Sequence, residues 1–168
     1  AAPYADGRLK ASAPHPIVEC GDAGCACFVV GRGVRAPLEV FKTARRGWGL
    51  RCRRALARGE FVCEYAGELL SSAEAARRQR RAVPNYIFVV REHSRSGTWR
   101  TIIDPTHTGN VGRFANHSCD PNLAVHLVRV ASLVPRIALF ASRDVPALEA
   151  FCAFLCATLP RLDILVNN

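Results

Sequence analysis

The apolar residues of this chain fall mostly in short runs separated by turn residues, and in the first two runs apolar and polar positions alternate. Alternation places the apolar side chains on one face of an extended segment, and short apolar runs bounded by turns likewise predict β-strands. The runs are residues 38–41, 61–65, 85–90, 101–103, 124–130 and 136–141. The third and fourth runs flank a Ser-Arg-Ser-Gly segment that ends at Gly97, which predicts a β-hairpin.

An arginine-rich helix is predicted after the second strand. Ser71 and Glu74 have the spacing of a capping box, in which the first side chain accepts a hydrogen bond from the backbone N–H of the fourth residue. The helix is expected to continue to residue 81 and to stop before Pro84. We interpret its arginines as a solvated helix face rather than as phosphate contacts.

The last part of the chain has a different pattern. Leu148, Phe151, Leu155 and Leu159 are spaced three, four and four residues apart, which predicts a helix ended by Pro160. With many short strands and one internal helix, the 168 residues are expected to form a single β-rich α+β domain followed by a helical tail.

Composition adds a strongly basic charge. The formal net charge is +9, almost all of it from arginine. Such a charge favours an acidic neighbour such as DNA, and it is equally compatible with a plain solvated surface. No apolar run approaches the ~20 residues that a membrane span requires, and the chain does not begin with a secretory signal pattern. We therefore expect no membrane partner.

Eight cysteines allow either disulfides or metal coordination. Cys20, Cys25 and Cys27 are too close in sequence to bridge one another easily and are suited to share a metal ion. Cys52 and Cys63 fall in apolar, strand-like segments, where buried thiols behave as small apolar side chains. This usage favours a reducing intracellular compartment with partial use of zinc.

Four consecutive residues, Asn116, His117, Ser118 and Cys119, concentrate hydrogen-bonding and metal-binding side chains. A hydrolase would need its nucleophile and base to face each other, and neighbours in a chain rarely do so. His117 and Cys119 could supply two ligands of a zinc site that needs two more. A polar turn closed by the following Asp-Pro is equally compatible, so these residues alone leave the question open.

The order of the surrounding motifs favours one family. The motifs are Arg-Gly-Trp-Gly at 46–49, Glu-Tyr-Ala-Gly-Glu at 64–68, Asn-Tyr at 85–86, Ile-Asp at 103–104, Gly-Asn at 109–110 and Gly-Arg-Phe-Ala-Asn-His-Ser-Cys-Asp-Pro-Asn at 112–122. In this order they resemble the SET domain of histone-lysine N-methyltransferases. Residues 16–20 resemble the end of the pre-SET region of the Su(var)3-9 branch. Residues 40–43, 61–68 and 134–140 are most similar to the members of that branch that are fused to a transposase.

The resemblance implies a site for S-adenosylmethionine. The cofactor would lie against the Gly-Trp-Gly turn, where the glycines let the backbone approach the ligand and Trp48 supplies an apolar wall. Asn116 and His117 would bind it mainly through the backbone, and Tyr86 and Arg113 would complete the pocket. The predicted cofactor-binding residues are Arg46, Gly47, Trp48, Gly49, Tyr86, Arg113, Asn116 and His117.

The reaction implied by the resemblance is methyl transfer to the ε-amine of a lysine. The substrate would be a histone H3 tail bound as an added β-strand. Glu64 and Tyr65 match family positions near the substrate channel, although Tyr65 is equally suited to the core. A location in the nucleus, on chromosomes, is implied as well, and the oligomeric state is left open.

Two features depart from the family pattern. The Glu-Leu-Ser-Tyr-Asp-Tyr strand expected after Glu149 normally supplies the catalytic tyrosine and closes a knot-like fold, yet no tyrosine follows Tyr86. We therefore assign no catalytic residue and expect the knot to be incomplete. The early pre-SET and the post-SET cysteines are also missing, so zinc sites with incomplete ligand sets are predicted at Cys20, Cys25, Cys27 and Cys119.

The predicted organisation has three parts. Residues 1–33 form a lead-in and truncated pre-SET cysteine region, residues 34–149 the SET domain, and residues 150–168 a divergent tail that replaces the last motif. Two functions remain open. One is a histone-lysine N-methyltransferase in a truncated form, and the other is a catalytically silent SET remnant that binds chromatin or nucleic acid through its basic surface.

Overall fold

The computed structural model describes residues 2–80, 86–153, 157–159 and 162–166, the last two ranges by their backbone alone. Short strands dominate it. The strands are β1 (Tyr4–Ala5), β2 (Arg8–Leu9), β3 (Ile17–Glu19), β4 (Leu38–Lys42), β5 (Trp48–Cys52), β6 (Phe61–Glu64), β7 (Gly67–Leu69), β8 (Phe88–Ser94), β9 (Gly97–Gly109), β10 (Asn116–His117), β11 (Leu123–Val130), β12 (Arg136–Ala141), β13 (Cys152–Ala153), β14 (Ala157–Leu159) and β15 (Leu162–Val166). One α-helix, α1 (Ser72–Gln79), and two 3-10 turns, Val30–Arg32 and Val111–Phe114, complete the described elements.

Two larger sheets carry the domain. The first has the order β10-β13-β11-β12-β6, with β3 parallel to β11, and the second has the order β14-β15-β8-β9-β7. The hairpin predicted across Gly97 is confirmed, because Ser94 pairs with Gly97 at the turn between β8 and β9. The β-rich α+β class is confirmed as well.

The predicted capping box is present at the start of α1. The Ser71 hydroxyl accepts a hydrogen bond from the Glu74 backbone N–H at 3.2 Å, as a helix N-cap requires. Ala75 packs with Ile87 and Ile102 against the second sheet. The helix ends at Gln79 with Arg80 as its C-cap, before the predicted end at residue 81, which lies outside the described residues together with Pro84.

The strand β13 is inserted between two strands of the first sheet. It lies between β10 and β11 and is parallel to both, while residues 118–122 join those two strands around it. Phe151, just before β13, is fully buried and donates its backbone N–H to the Leu50 carbonyl at 2.7 Å. Burial of a phenylalanine contributes about 1.5–3 kcal/mol. The knot-like crossing, which the sequence predicted to be incomplete, is therefore formed at Cys152–Ala153.

The helix predicted for the tail is wrong wherever the tail is described, because β13, β14 and β15 are strands. Leu148 has a φ of 65°, which a right-handed helix excludes. The segment 162–166 instead pairs with β8 from Leu162 opposite Glu92 to Val166 opposite Phe88. Within the predicted helix, residues 157–159 pair with this segment, so strand pairing and not helix formation satisfies their backbone. Leu155 and Pro160 lie outside the described residues.

No helix in the described ranges is long and apolar enough to span a membrane.

His126 on β11 gives the domain a predicted sensitivity to acid. Its ring stacks on His15 at 5.2 Å and meets the edge of Phe140 at 5.6 Å. Burial, with the nearby His15, lowers the pKa of His126 to about 4. Because the pKa of His126 is lower in the folded state than its ordinary value of 6.5, the unfolded chain binds the proton more tightly than the folded chain. The free energy of unfolding is therefore undiminished at neutral pH and decreases as the pH falls from about 6.5 towards 4.

We expect His126→Leu to reduce this loss, which is on the order of 2 kcal/mol. Urea unfolding at pH 7 and pH 4.5 measures it, with the exposed His107→Gln as the control. An unchanged pH dependence in His126→Leu would refute the assignment.

Candidate functional site

An open cleft with a volume of about 180 Å³ lies where the β4–β5 turn, the strand β10 and Tyr86 meet. Its lining residues are Arg46, Gly47, Trp48, Tyr65, Tyr86, Arg113, Phe114, Ala115, Asn116 and His117. Every predicted cofactor-binding residue except Gly49 is therefore brought to one place. Phe114 and Ala115 were not predicted, although they stand between Arg113 and Asn116 in the same motif.

The first wall is the β4–β5 turn. The Thr43 hydroxyl accepts a hydrogen bond from the Arg46 N–H at 2.8 Å and donates one to the Gly47 carbonyl at 3.0 Å. Gly47 has a φ of 67°, a conformation that favours glycine. The turn leaves Trp48 half exposed at the cleft.

Gly49 serves packing within β5 rather than the cleft surface. It lies opposite Phe41 in the β4–β5 ladder. A Cβ atom at this position would come within 2.8 Å of the Thr43 methyl group and 3.0 Å of the Phe41 ring. The sequence predicted that Gly49 lets the backbone approach the cofactor, whereas the close approach in the structure is to the chain's own Thr43 and Phe41 side chains.

The second wall is β10, and two hydrogen bonds join it to the first. Arg46 Nη1 donates to the His117 carbonyl at 2.6 Å, and Asn116 Nδ2 donates to the Trp48 carbonyl at 3.2 Å. On its other side β10 is paired with β13. The two motifs are 68 and 71 residues apart in the chain at these contacts, so the cleft depends on long-range structure.

The third wall is built from the rings of Tyr86 and Phe114 and from the guanidinium group of Arg113. The Arg113 guanidinium lies 4.5 Å from the centre of the Tyr86 ring. Arg113 Nη1 donates to the carbonyls of Pro105 and Thr106 at 2.8 and 3.1 Å. Its Nε is buried and has no hydrogen-bond partner among the described residues. A buried donor of this kind is costly unless a ligand or water satisfies it.

Tyr65 forms the floor of the cleft and is only 3% exposed. Its hydroxyl donates to the Tyr86 carbonyl at 2.8 Å. Burial raises the pKa of Tyr65 well above its usual range, so the phenol stays protonated at neutral pH. Glu64, which the sequence placed near the substrate, does not line this cleft, and its carboxylate lies 3.6 Å from Arg136.

The cleft therefore combines two guanidinium groups, exposed aromatic surface, backbone carbonyls and an unsatisfied buried donor. This set suits an amphipathic ligand with an aromatic part and an anionic part. S-adenosylmethionine, with its adenine ring and carboxylate, has this chemistry.

The three N-terminal cysteines form a second candidate site. Cys20 Sγ lies 2.9 Å from Cys27 Sγ, and Cys25 Sγ lies 3.1 Å from Cys27 Sγ. All three sulfur atoms are within 4.8 Å of one another. Arg32 holds their loop by donating to the carbonyls of Ala23 and Cys25 at 3.0 and 2.9 Å. Three convergent thiols fit a thiophilic ion and supply three of the four ligands of a structural zinc site.

Cys119 does not join this cluster. Its thiol is exposed and belongs to no group of three metal-binding side chains among the described residues. Cys152, on β13, contacts the Asp120 carbonyl at 3.7 Å and the Asn122 amide oxygen at 3.6 Å. Cys156 lies outside the described residues.

Comparisons with known proteins agree with the fold and the motifs. The family model described as "SET domain" matches residues 47–152. The rat histone-lysine N-methyltransferase SETMAR is 47% identical over 133 residues, which are 77% of this chain and 42% of that protein. The chain thus spans about two fifths of the length of this relative.

Solved structures give the same result. The methyltransferase domain of human SETMAR superposes with a TM-score of 0.88 at 38% identity, over 96% of this chain and 64% of that one. Arabidopsis thaliana SUVH6 in complex with S-adenosylmethionine superposes with a TM-score of 0.79 at 35% identity, over 92% of this chain and 35% of that one. The resemblance to the Su(var)3-9 branch, and within it to SETMAR, is confirmed. The chain belongs to the SET-domain family.

Proposed function

We propose that this chain is a protein-lysine methyltransferase that uses S-adenosylmethionine to methylate a histone tail. The observation that carries the proposal is the cleft itself, in which the Gly-Trp-Gly turn and the Asn-His strand are joined by two hydrogen bonds. The relatives named above are histone-lysine N-methyltransferases, and one similar structure contains S-adenosylmethionine.

Different residues of the cleft would bind different parts of the cofactor. The Trp48 face and the backbone of Asn116 and His117 would hold the adenine and amino-acid parts, while Arg46 and Arg113 would face the carboxylate. When bound, the cofactor supplies a methyl group that is activated by attachment to a sulfonium.

The chain's own contribution to the reaction is alignment and exclusion of water. Because the Tyr65 proton is donated to the Tyr86 carbonyl, the Tyr65 oxygen can accept a hydrogen bond from an incoming lysine amine. The hydroxyl that the family motif supplies after Glu149 is missing. A positioned acid–base group contributes about 10²–10⁴-fold, so we expect transfer by this chain to be slow by that factor.

Several finer features belong to the same proposal. The substrate is a histone H3 tail, the protein acts on chromosomes in the nucleus, and its arginine-rich surface contacts DNA. We retain the division into residues 1–33, 34–149 and 150–168, since the family match at 47–152 falls largely within the middle part. The alternative of a catalytically silent remnant is not favoured by any feature of the cleft.

The test is transfer of a labelled methyl group from S-adenosylmethionine to recombinant histone H3. We expect slow, saturable labelling of lysine that disappears in Arg113→Ala, since this change removes both the guanidinium and its stacking on Tyr86. No labelling in the presence of measurable cofactor binding would instead support the silent remnant, and labelling of the chain itself without labelling of the histone would overturn the histone substrate.

For the thiol cluster we expect one zinc ion per chain. Cys27→Ser should abolish zinc retention, because Cys27 is the thiol closest to both others. Cys119→Ser is the matched control and should retain the ion, since Cys119 lies outside the cluster. Metal content measured by mass spectrometry after dialysis decides the point, and loss of zinc in Cys119→Ser would show that our ligand set is wrong.

A further inference from the structure

We propose that Arg78 and Asp104 are positioning residues for the cofactor cleft, acting through Thr106 and Arg113. The inference rests on the proposed function, because it assigns a role in binding S-adenosylmethionine. Neither residue lines the cleft. Each is connected to it by a continuous series of hydrogen bonds.

Arg78 joins the helix α1 to the second sheet. Its Nη1 donates to Asp104 at 2.8 Å and to Glu68 at 2.9 Å, and its Nε donates to Glu74 at 2.8 Å. One guanidinium group thus contacts carboxylates on α1, β7 and β9 at once. This planar arrangement of donors cannot be reproduced by the single ammonium group of lysine.

Asp104 transmits this contact to the backbone of β9. It is only 2% exposed, and its second oxygen accepts hydrogen bonds from the Thr106 N–H at 2.9 Å and the Thr106 hydroxyl at 2.5 Å. Burial alone would raise the pKa of Asp104, but the hydrogen bonds from Thr106 and Arg78 lower it. The carboxylate is therefore charged and held at both oxygens.

The backbone that Asp104 fixes is the backbone that holds Arg113. The carbonyls of Pro105 and Thr106 accept the two hydrogen bonds from Arg113 Nη1. Those bonds fix the guanidinium over the Tyr86 ring, at the wall of the cleft. Without the Arg78–Asp104 contact, the carboxylate that binds Thr106 is no longer held in place. The backbone at residues 105–106, and with it the position of Arg113, then becomes less defined.

The same helix offers a matched control. Arg77 also pairs with Glu74, at 2.6 Å, and its side chain is 49% exposed. No hydrogen bond from Arg77 to β9 occurs among the described residues. A loss of helix stability would therefore appear in both variants, whereas a loss of cleft geometry would appear only on substitution of Arg78.

The experiment is calorimetric titration with S-adenosylmethionine of the wild type, Arg78→Ala, Arg78→Lys, Asp104→Asn and Arg77→Ala. Titrations are run well below the melting temperature of each variant, and circular dichroism identifies the folded ones. We expect Kd to rise about ten-fold in Arg78→Ala and Asp104→Asn, less in Arg78→Lys, and less than about two-fold in Arg77→Ala. Where transfer is measurable, the KM for the cofactor should rise while the KM for the histone peptide stays constant.

The outcomes separate this inference from the proposed function. If the wild type does not bind the cofactor, the proposed function fails. If the wild type binds and all folded variants of Arg78 and Asp104 bind within two-fold of it, the positioning role is overturned. Arg78→Lys keeps the charge and is the variant most certain to fold, so its affinity decides the matter if the others do not fold.

Discussion

The double substitution Phe154→Asp and Leu155→Tyr is expected to raise the rate of methyl transfer by about 10²–10⁴-fold. The family motif places an aspartate and a tyrosine just after the strand that corresponds to β13, and β13 is paired with the cleft strand β10. Both substituted positions lie outside the described residues. Ala153 is left unchanged because it is fully buried, and a larger side chain there would overpack the core.

The control for this prediction is Phe154→Asp combined with Leu155→Phe. It adds the same ring without the hydroxyl, so the rate should stay near that of the wild type. The measurement is kcat for transfer to histone H3 at saturating cofactor. If both double variants were equally active, the missing hydroxyl would not be the cause of slow transfer.

Asn122→Ala is expected to destabilise the domain by about 3 kcal/mol, because Asn122 secures the inserted strand β13. The residue is completely buried. Its amide group donates to Glu149 and to the Ala150 carbonyl at 2.8 and 2.9 Å, and its oxygen accepts from the Cys152 N–H at 2.8 Å. Removing it leaves buried backbone groups unpaired, each at a cost of about 1–3 kcal/mol.

Ser118→Ala is the matched control in the same connection between β10 and β11. Within the part of the chain that the structure describes, its hydroxyl bonds to the nearby backbone of Asp120, so the expected cost is below about 1 kcal/mol. Urea unfolding measures both variants. Equal stabilities would mean that the inserted strand β13 is held by packing around Phe151 rather than by Asn122.

Six strands, β4, β6, β8, β9, β11 and β12, could be predicted from the sequence because each coincides with a short apolar run between turns. The helix cap at Ser71 could be predicted because it depends on two residues only three positions apart. The two- and three-residue strands β3, β7, β10 and β13 were not predicted, because contacts distant in the chain define them. The tail could not be predicted either. Its leucine spacing over residues 148–159 fits a helix, whereas residues 157–159 pair with β15 and β15 pairs with the open edge of β8, about 70 residues earlier in the chain.

The cleft residues could be predicted from the order of the motifs, but their arrangement could not. Gly47 and Trp48 line the cleft together with Asn116 and His117, as the motif order predicted. Gly49 does not line it, and its missing side chain instead leaves room for the methyl group of Thr43. The helix arginines were interpreted as a solvated face. This holds for the exposed Arg77 and is wrong for Arg78, whose pairing with buried Asp104 depends on contacts between α1 and β9.

The central claim is that this cleft binds S-adenosylmethionine. Calorimetric titration of the purified chain with the cofactor, repeated with Trp48→Ala, tests it most directly. We predict saturable binding of one molecule per chain, weakened at least ten-fold in Trp48→Ala because the variant loses the aromatic wall. Absence of binding to the folded wild type, or equal binding by the variant, would contradict the assignment.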